Sequence, residues 1–141
     1  MSEYMVIKRT PTFAEYRELC AAVGWAEFIN MDAAQASLQQ SLFGAVIKHE
    51  DRIVGMGRVV GDGSMYFYIQ DVAVVPEHQG AGAGGRIMEA IVAYLKEHAP
   101  EQAFIGLFAS EGKEDFYTRF GFQPHEGMTG MFGVMLGGRI Q

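Results

Sequence analysis

The sequence predicts a mixed α/β fold in which a largely antiparallel sheet is flanked by helices. Three observations lead to this prediction. Residues 43–48 and 53–60 are runs of branched apolar residues separated by a short polar turn, a pattern typical of a β-hairpin. Residues 66–75 form a third such run, and glycines at 80–85 lead from it into a segment with helical periodicity. Another apolar run, 104–109, follows that helix and is expected to lie parallel to its predecessor.

The N-terminal part is predicted to contain a short strand and two helices. Residues 5–7 are expected to form the strand. Thr12 followed by Glu15 matches a capping box, and apolar residues at helical spacing then predict a helix over residues 12–23. A similar cap pattern beginning at Asp32 predicts the second helix.

The C-terminal part is predicted to alternate between helix and strand. The helix that begins at the glycines ends before Pro100. A short helix over residues 113–120 is expected to stop at Gly121, which suits a left-handed cap. The Met-rich segment 128–136 is expected to form a final strand that closes the sheet.

Length and composition indicate a single domain spanning residues 1–141. Hydrophobic residues make up 49% of the chain and charged residues 20%, an ordinary globular composition. A single cysteine cannot form an internal disulfide, and no basic segment followed by an apolar one opens the chain, so we expect a cytoplasmic location. With a net charge of −6, no Lys/Arg cluster and no apolar run of about 20 residues, neither nucleic acid nor a membrane is an expected partner.

The most informative segment joins the strand of residues 66–75 to the following helix. A glycine-rich turn that opens a helix presents backbone N–H groups that have no acceptor in the first helical turn, and the positive end of the helix dipole favours an anion. We therefore expect a phosphorylated ligand at this segment, on Gln79, Gly80, Ala81, Gly82, Ala83 and Gly84.

The glycine spacing alone also matches other phosphate-binding motifs. Gly80, Gly82 and Gly85 satisfy the letters G-x-G-x-x-G of dinucleotide-binding folds. That motif expects an acidic residue about 20 positions later, where this chain has Ile105. A nucleotide-triphosphate loop needs Gly-Lys followed by Ser or Thr, and that sequence does not follow the glycines. Both alternatives are therefore disfavoured.

Two motifs resemble those of the GNAT superfamily of N-acyltransferases. The first is a strand of small and aliphatic residues, a Pro-containing turn, and then Gln79, Gly82 and Gly84 at the positions of the family's acyl-CoA motif. The second, residues 116–122, is similar to the family's element of Phe-Tyr, three residues, and Gly-Phe. The order of the predicted elements also matches the family.

This resemblance implies a GNAT-like fold whose fourth and fifth strands splay apart, with acetyl-CoA bound in the gap as cosubstrate and no metal. A strand edge freed by the splay has N–H and C=O groups that the amide-containing pantetheine arm can satisfy. Those groups are expected to belong to Val72, Ala73 and Val74. Phe116 is expected to contribute to the same cofactor site.

Tyr117 is the candidate general acid. Acyl transfer from a thioester to an amine needs a proton for the departing thiolate, and a phenol with a pKa near 10 is protonated at neutral pH. The alternative is that Tyr117 only packs against Phe116 and Phe120. Its position in the family motif favours the catalytic role.

The base for the amine is not evident. Relatives often have Glu or His at the positions held here by Tyr68 and Gln70, neither of which is a base near pH 7. Strand alternation would place Asp71 on the opposite face, where a structural role is expected. The alternatives that remain are Glu27, Glu111, a water relay and capture of an amine that is already neutral. Cys20 is expected to be a buried thiol, and the four histidines show no metal-ligand spacing.

The leading hypothesis is an N-acetyltransferase that moves an acetyl group from acetyl-CoA to a primary amine by direct attack in a ternary complex. The expected acceptor is the amine of a small molecule, a lysine or an N-terminus. The alternative is a non-catalytic acyl-CoA sensor that has kept the phosphate loop and lost its acid–base residues. The apolar C-terminal strand and the frequency of dimers among relatives also lead us to expect a homodimer.

Overall fold

A computed structural model describes residues 3–141. The chain divides into two compact units, one ending at Leu107 and one comprising Phe108–Gln141. Among the described residues, no helix is long and apolar enough to cross a membrane.

The first unit is built on a five-stranded sheet. Its strands follow one another across the sheet in chain order, and the first four pair antiparallel while the fifth pairs parallel to the fourth. The parallel pair is separated in sequence by a helical crossover, as the glycine-led helix predicts. The strands are β1 (Tyr4–Ile7), β2 (Phe43–His49), β3 (Arg52–Gly61), β4 (Tyr66–Val74) and β5 (Phe104–Leu107).

Helices cover both faces of this sheet. On one face lie α1 (Phe13–Ala22) and α2 (Met31–Gln39), joined by a 3-10 turn at Ala26–Phe28. On the other lies α3 (Ala83–His98), whose Ile87 and Ile91 pack close to the glycines of β3. The core between these layers is apolar, and its fully buried side chains include Leu19, Ile47, Met56, Val59, Phe67, Ile87, Met88 and Ile91.

The N-termini of the first two helices show how well local sequence signals predict where a helix begins. The capping box at Thr12 is confirmed: its hydroxyl accepts from Glu15 N (3.1 Å), and the Glu15 carboxylate accepts from Thr12 N (2.9 Å). The second cap was predicted at Asp32, and this is wrong. Asn30 is the cap, and its side-chain oxygen accepts from the N–H groups of Asp32 and Ala33.

The second unit contains one short helix, α4 (Glu114–Thr118), and a hairpin of β6 (Met135–Leu136) and β7 (Arg139–Ile140). Gly121 has a φ of 99°, as expected for a left-handed cap. The predicted final strand over residues 128–136 is wrong, because only Met135 and Leu136 are in a strand and they form a separate two-stranded sheet with β7. Gly137 and Gly138 both have positive φ, which suits a tight hairpin turn that pairs β6 with β7.

Gly57 allows α3 to approach the sheet. A Cβ at this position would lie 2.6 Å from Cγ2 of Ile87, a fully buried side chain that has little room to move. We predict that Gly57→Ala lowers the free energy of unfolding by about 1–3 kcal/mol, the usual cost of overpacking. Urea denaturation followed by circular dichroism measures this loss.

Gly85 offers a matched control, because it lies in α3 and a Cβ there meets nothing within 4 Å. We expect Gly85→Ala to leave stability unchanged or to raise it by up to about 1 kcal/mol, since alanine favours the helix. Equal stability of native protein and the Gly57→Ala variant would contradict the packing argument.

Candidate active site

The pairing between β4 and β5 ends about halfway along β4. The last pair between the two strands is Ile69 with Leu107, whereas β4 continues to Val74. Within the described chain, residues 70–74 therefore have a paired strand only on the β3 side. The resemblance implied a free edge on β4, and here that edge begins where β5 itself ends.

A bulge in β4 lies at the beginning of this unpaired stretch. Arg58 of β3 pairs with Gln70 and Met56 pairs with Ala73, so Gly57 alone stands opposite Asp71 and Val72. Asp71 has a φ of 59°, in the left-handed region that non-glycine residues rarely adopt. Such a residue costs about 1–3 kcal/mol unless its surroundings hold it, and Asp is among the side chains that tolerate the region best.

The ladder on the β3 side determines which backbone groups are directed to the open edge. Val75 N donates to Val54 O (2.9 Å), so alternation makes Met56 and Ala73 the next hydrogen-bonded pair. Ala73, which was expected to offer free groups, therefore directs them at β3. Val72 and Val74 direct theirs towards the side that β5 has left.

The glycine loop continues directly from this edge. The chain passes through a 3-10 turn at Pro76–His78, and the Gln79 amide then donates from Nε2 to Val74 O (2.9 Å). Gln79 thus anchors the loop to the end of β4 and occupies the Val74 carbonyl. Gly80 and Gly82 follow with φ of 80° and 91°.

The N-terminus of α3 is open to a ligand. Gly82 is the N-cap, and among residues 3–141 no side chain caps the helix there. The N–H groups of the first turn have no acceptors within the helix, and the helix dipole adds positive potential. A Cβ at Gly80, Gly82 or Gly85 would meet nothing within 4 Å, so there is space beside these backbones. Backbone donors, positive potential and free space together suit a phosphate group.

A buried ion pair holds the bulge on the face covered by α1 and α2. Arg58 Nε donates to Asp71 Oδ2 (2.7 Å), and both side chains are almost completely buried. The sequence argument placed Asp71 on the face opposite Gln70, and this is wrong. The bulge breaks strand alternation, so Asp71 reaches Arg58, the cross-strand partner of Gln70. Its expected structural role holds.

The sequence reasoning missed Arg58. A single arginine within the apolar run of β3 is a usable signal, because a buried charge needs a partner of opposite sign. Asp71, the nearest acidic residue on the neighbouring predicted strand, was the natural candidate.

An aromatic group lies on the half-exposed end of β4 and β5. The rings of Tyr66 and Tyr68 have their centroids 6.1 and 6.0 Å from that of Phe104. A Cβ at Gly106 would lie 3.0 Å from both Tyr68 and Phe104, so glycine leaves room for these rings. Tyr68 and Gln70, the positions where a base was sought, are both exposed.

Tyr117 lies in α4 of the second unit. Its ring contacts that of Phe116 edge-on (centroids 4.9 Å apart), and Phe116 contacts Phe120 in the same manner. Burial raises the pKa of the Tyr117 phenol above its usual value. The hydroxyl is therefore protonated throughout the neutral range. Glu111 lies in the same unit and Glu27 lies in the turn between α1 and α2, and both are exposed.

Other reactive side chains have different surroundings. Cys20 is completely buried, and burial raises the pKa of its thiol, which disfavours a nucleophilic role.

Glu3, His49 and Glu50 place ligand-type atoms within 4.8 Å of one another, and the ring of His78 lies 4.5 Å from that of His49. Strand pairing brings these side chains together, which sequence spacing could not indicate.

A family model described as an acetyltransferase (GNAT) domain matches residues 13–134. The chain is 31% identical over 122 residues to the protein named "Uncharacterized N-acetyltransferase ycf52" of Porphyra purpurea, covering 84% of this chain and 69% of that one.

Two solved structures are similar in fold. A probable acetyltransferase from meticillin-resistant Staphylococcus aureus superposes with a TM-score of 0.84 at 35% identity, covering 92% of this chain and 97% of that one. A GNAT-family acetyltransferase from Streptococcus pneumoniae gives a TM-score of 0.80 at 27% identity, with coverages of 93% and 97%.

Proposed function

Because the chain belongs to the GNAT family of acetyltransferases, we propose that it transfers the acetyl group of acetyl-CoA to a primary amine. The observation that carries this proposal is the continuity of the open β4 edge with the uncapped N-terminus of α3. An extended amide chain and a pyrophosphate are consecutive parts of one cosubstrate. This edge and this helix end are consecutive parts of one site.

The backbone would bind the cosubstrate. The N–H groups of the loop from Gly80 to Gly84 suit the pyrophosphate, and the outward groups of Val72 and the Val74 N–H suit the pantetheine amides. An N–H at this edge would also polarise the thioester carbonyl, which develops negative charge when the amine attacks.

The reaction needs two proton transfers. In the ternary complex the neutral amine attacks the thioester carbon, a C–N bond forms, and the C–S bond then breaks. Tyr117 would give its phenolic proton to the departing thiolate. The proton of the amine would pass to water, to Glu27 or to Glu111, because Tyr68 and Gln70 are not bases at neutral pH.

We also propose that the protein works in a reducing cytoplasm, since its one cysteine is buried and unpaired with another cysteine.

The acceptor is proposed only as a primary amine, of a small molecule or of a protein. A panel of amines incubated with acetyl-CoA, with free CoA measured by a thiol reagent, tests for turnover. Binding of acetyl-CoA without CoA release from any amine would instead support the sensor alternative.

Gly82 provides the sharpest test of the phosphate site. We predict that Gly82→Asp weakens acetyl-CoA binding at least about tenfold more than Gly82→Asn, about 1.4 kcal/mol. Both side chains tolerate positive φ and have the same size, so the difference isolates the added negative charge at the helix N-terminus. Isothermal titration calorimetry measures both affinities, and equal affinities would exclude this loop as the pyrophosphate site.

Tyr117→Phe tests the general acid. The ring and its contacts with Phe116 remain, so acetyl-CoA affinity and stability should change little, while kcat falls by about 10²-fold or more. In the native enzyme the raised pKa keeps the acid form present up to pH values above about 10, so loss of kcat from tyrosinate formation should occur only above that pH.

Tyr94 is a suitable control for the loss of a tyrosine hydroxyl, because it lies in α3 and its ring stacks on that of Phe43 in β2. Tyr94→Phe should turn over like the native enzyme. If kcat of Tyr117→Phe stays within about a factor of two of native at saturating substrates, water must protonate the thiolate. A loss confined to KM would indicate that the hydroxyl binds substrate.

We propose a homodimer formed through the C-terminal unit. Met131, Phe132 and Ile140 are 84%, 80% and 76% exposed, an unusual amount of apolar surface within one short segment. A second copy of the same surface would cover it. We predict a dimer at micromolar concentration by sedimentation velocity, and a monomer for the double variant Met131→Gln, Ile140→Gln.

The equally exposed Phe28, 76% accessible in the other unit, provides the control. Phe28→Gln should leave the dimer intact. A native protein that sediments as a monomer would rule the proposal out.

A further inference from the structure

We propose that the ion pair between Arg58 and Asp71 is a positioning device that holds the β4 bulge open and so orients the backbone of Val72 towards the thioester. The inference rests on the proposed function for what Val72 does. Arg58 and Asp71, which have no direct role in the chemistry, would set the geometry of the reacting edge.

The Arg58 guanidinium is held on three sides. Besides Asp71, it donates from Nη1 to Ser37 O and Ser41 Oγ (both 3.1 Å) and from Nη2 to Ser37 Oγ (3.1 Å). It is 7% exposed, and the acidic side chain buried beside it is that of Asp71. Its contacts with the C-terminal end of α2 also place a positive charge at the negative end of that helix. Arg58 thereby ties α2 to the bulge.

Asp71 is held from a second helix as well. The Tyr16 hydroxyl of α1 donates to the same Oδ2 atom at 3.3 Å, and the Tyr16 ring lies 5.9 Å from the Arg58 Cζ. The carboxylate therefore accepts from β3 and from α1 at once. These contacts fix the side chain of a residue whose backbone is in the left-handed region.

The position of Asp71 in β4 links these contacts to the direction of the Val72 backbone groups. Asp71 directly precedes Val72, and the two residues together stand opposite Gly57. If Asp71 returned to extended backbone, the extra residue would be lost from the ladder and the peptide groups after it would change sides, because the strand period is two. The outward groups of Val72 would then no longer be aimed at the open edge.

Two substitutions at Asp71 separate the contributions. Asp71→Asn keeps tolerance of positive φ and an oxygen that accepts from Arg58, whereas Asp71→Ala loses both. We expect kcat to fall at least tenfold in Asp71→Ala and distinctly less in Asp71→Asn. CoA affinity by calorimetry should fall by a smaller factor than kcat in both variants, since the proposed pyrophosphate contacts of the loop from Gln79 to Gly84 are unchanged and only the Val72 contacts with pantetheine are disturbed.

Gln102→Ala is the matched control, because Gln102 also has a positive φ (67°) but lies in the turn between α3 and β5. It should lose stability without a change in kcat. Arg58→Lys provides a second route if Asp71→Ala does not fold. A lysine keeps the charge but cannot donate to all of these acceptors at once, so kcat should again fall more than CoA affinity.

A readout independent of turnover is amide hydrogen exchange at Val72 by NMR, which should change at least tenfold in Asp71→Ala. An unchanged exchange rate, or native kcat in a folded Asp71→Ala variant, would overturn the proposal. So would loss of kcat and CoA affinity in equal measure, which indicates a general structural role. Failure of the proposed function is distinguishable, because the native protein would then show no turnover while the exchange test still applies.

Discussion

The separation of β4 from β5 is the constraint on which the rest of the site depends. A strand with a neighbour on each side has both sets of its backbone groups paired, and the end of the β4–β5 pairing at Ile69 and Leu107 leaves the β4 groups beyond it that do not face β3 without a strand partner. Such an edge is a liability unless a ligand or a covering segment uses it. The close approach of α3 to Gly55 and Gly57 places the start of the helix at the end of the same strand. The open edge and the helix end are therefore linked by the short segment 75–81, whose 3-10 turn at Pro76–His78 separates the two groups of backbone donors.

The proposed phosphate site uses dipoles where many anion sites use side chains. The chain has a net charge of −6, and residues 79–85 contain no Lys or Arg. Long-range attraction of an anionic cosubstrate is therefore weak, and affinity must come from short-range hydrogen bonds that are already oriented. Binding would therefore depend more on the backbone conformation of the loop than on charged side chains. Gly80 and Gly82 adopt positive φ, and the Gln79 side chain donates a hydrogen bond to Val74 O. A loop that moved would lose the alignment on which the dipoles depend.

Much of the fold follows from local patterns in the sequence. The hairpin of β2 and β3, the capping box at Thr12, the glycine-led helix and the Gly121 cap each follow from the chemistry of a few neighbouring residues. The cap of α2 was missed because Asn30 and Asp32 are both good caps, and propensity alone does not choose between them. The tail was misassigned because its apolar content suggested a long strand of the main sheet, whereas the turn at Gly137 and Gly138 pairs residues 135–136 with residues 139–140.

The candidate site was predictable only in part, for a different reason. Gln79 and the glycines were identified because their role is local. The bulge was not, because it arises from contacts among β3, α1 and α2 that are distant in sequence. Alternation gave the wrong face for Asp71, since one extra residue reverses the pattern from that point onward. A buried pair such as Arg58 and Asp71 is costly to desolvate, and it is best explained by the geometry it enforces rather than by added stability.

The raised pKa of Tyr117 limits how this residue can act. A thiolate of pKa near 8.5 is a weaker base than tyrosinate of pKa near 10, so proton transfer from the phenol is already uphill, and each further unit adds about 1.4 kcal/mol. Burial therefore makes Tyr117 a weaker acid while it makes the proton more reliably available. Such an acid cannot drive C–S cleavage by its strength. If Tyr117 is the general acid that we propose, it is suited to a step in which collapse of the tetrahedral intermediate expels the thiolate and the proton follows, and the backbone donors beside Val72 would then carry the main share of the catalysis.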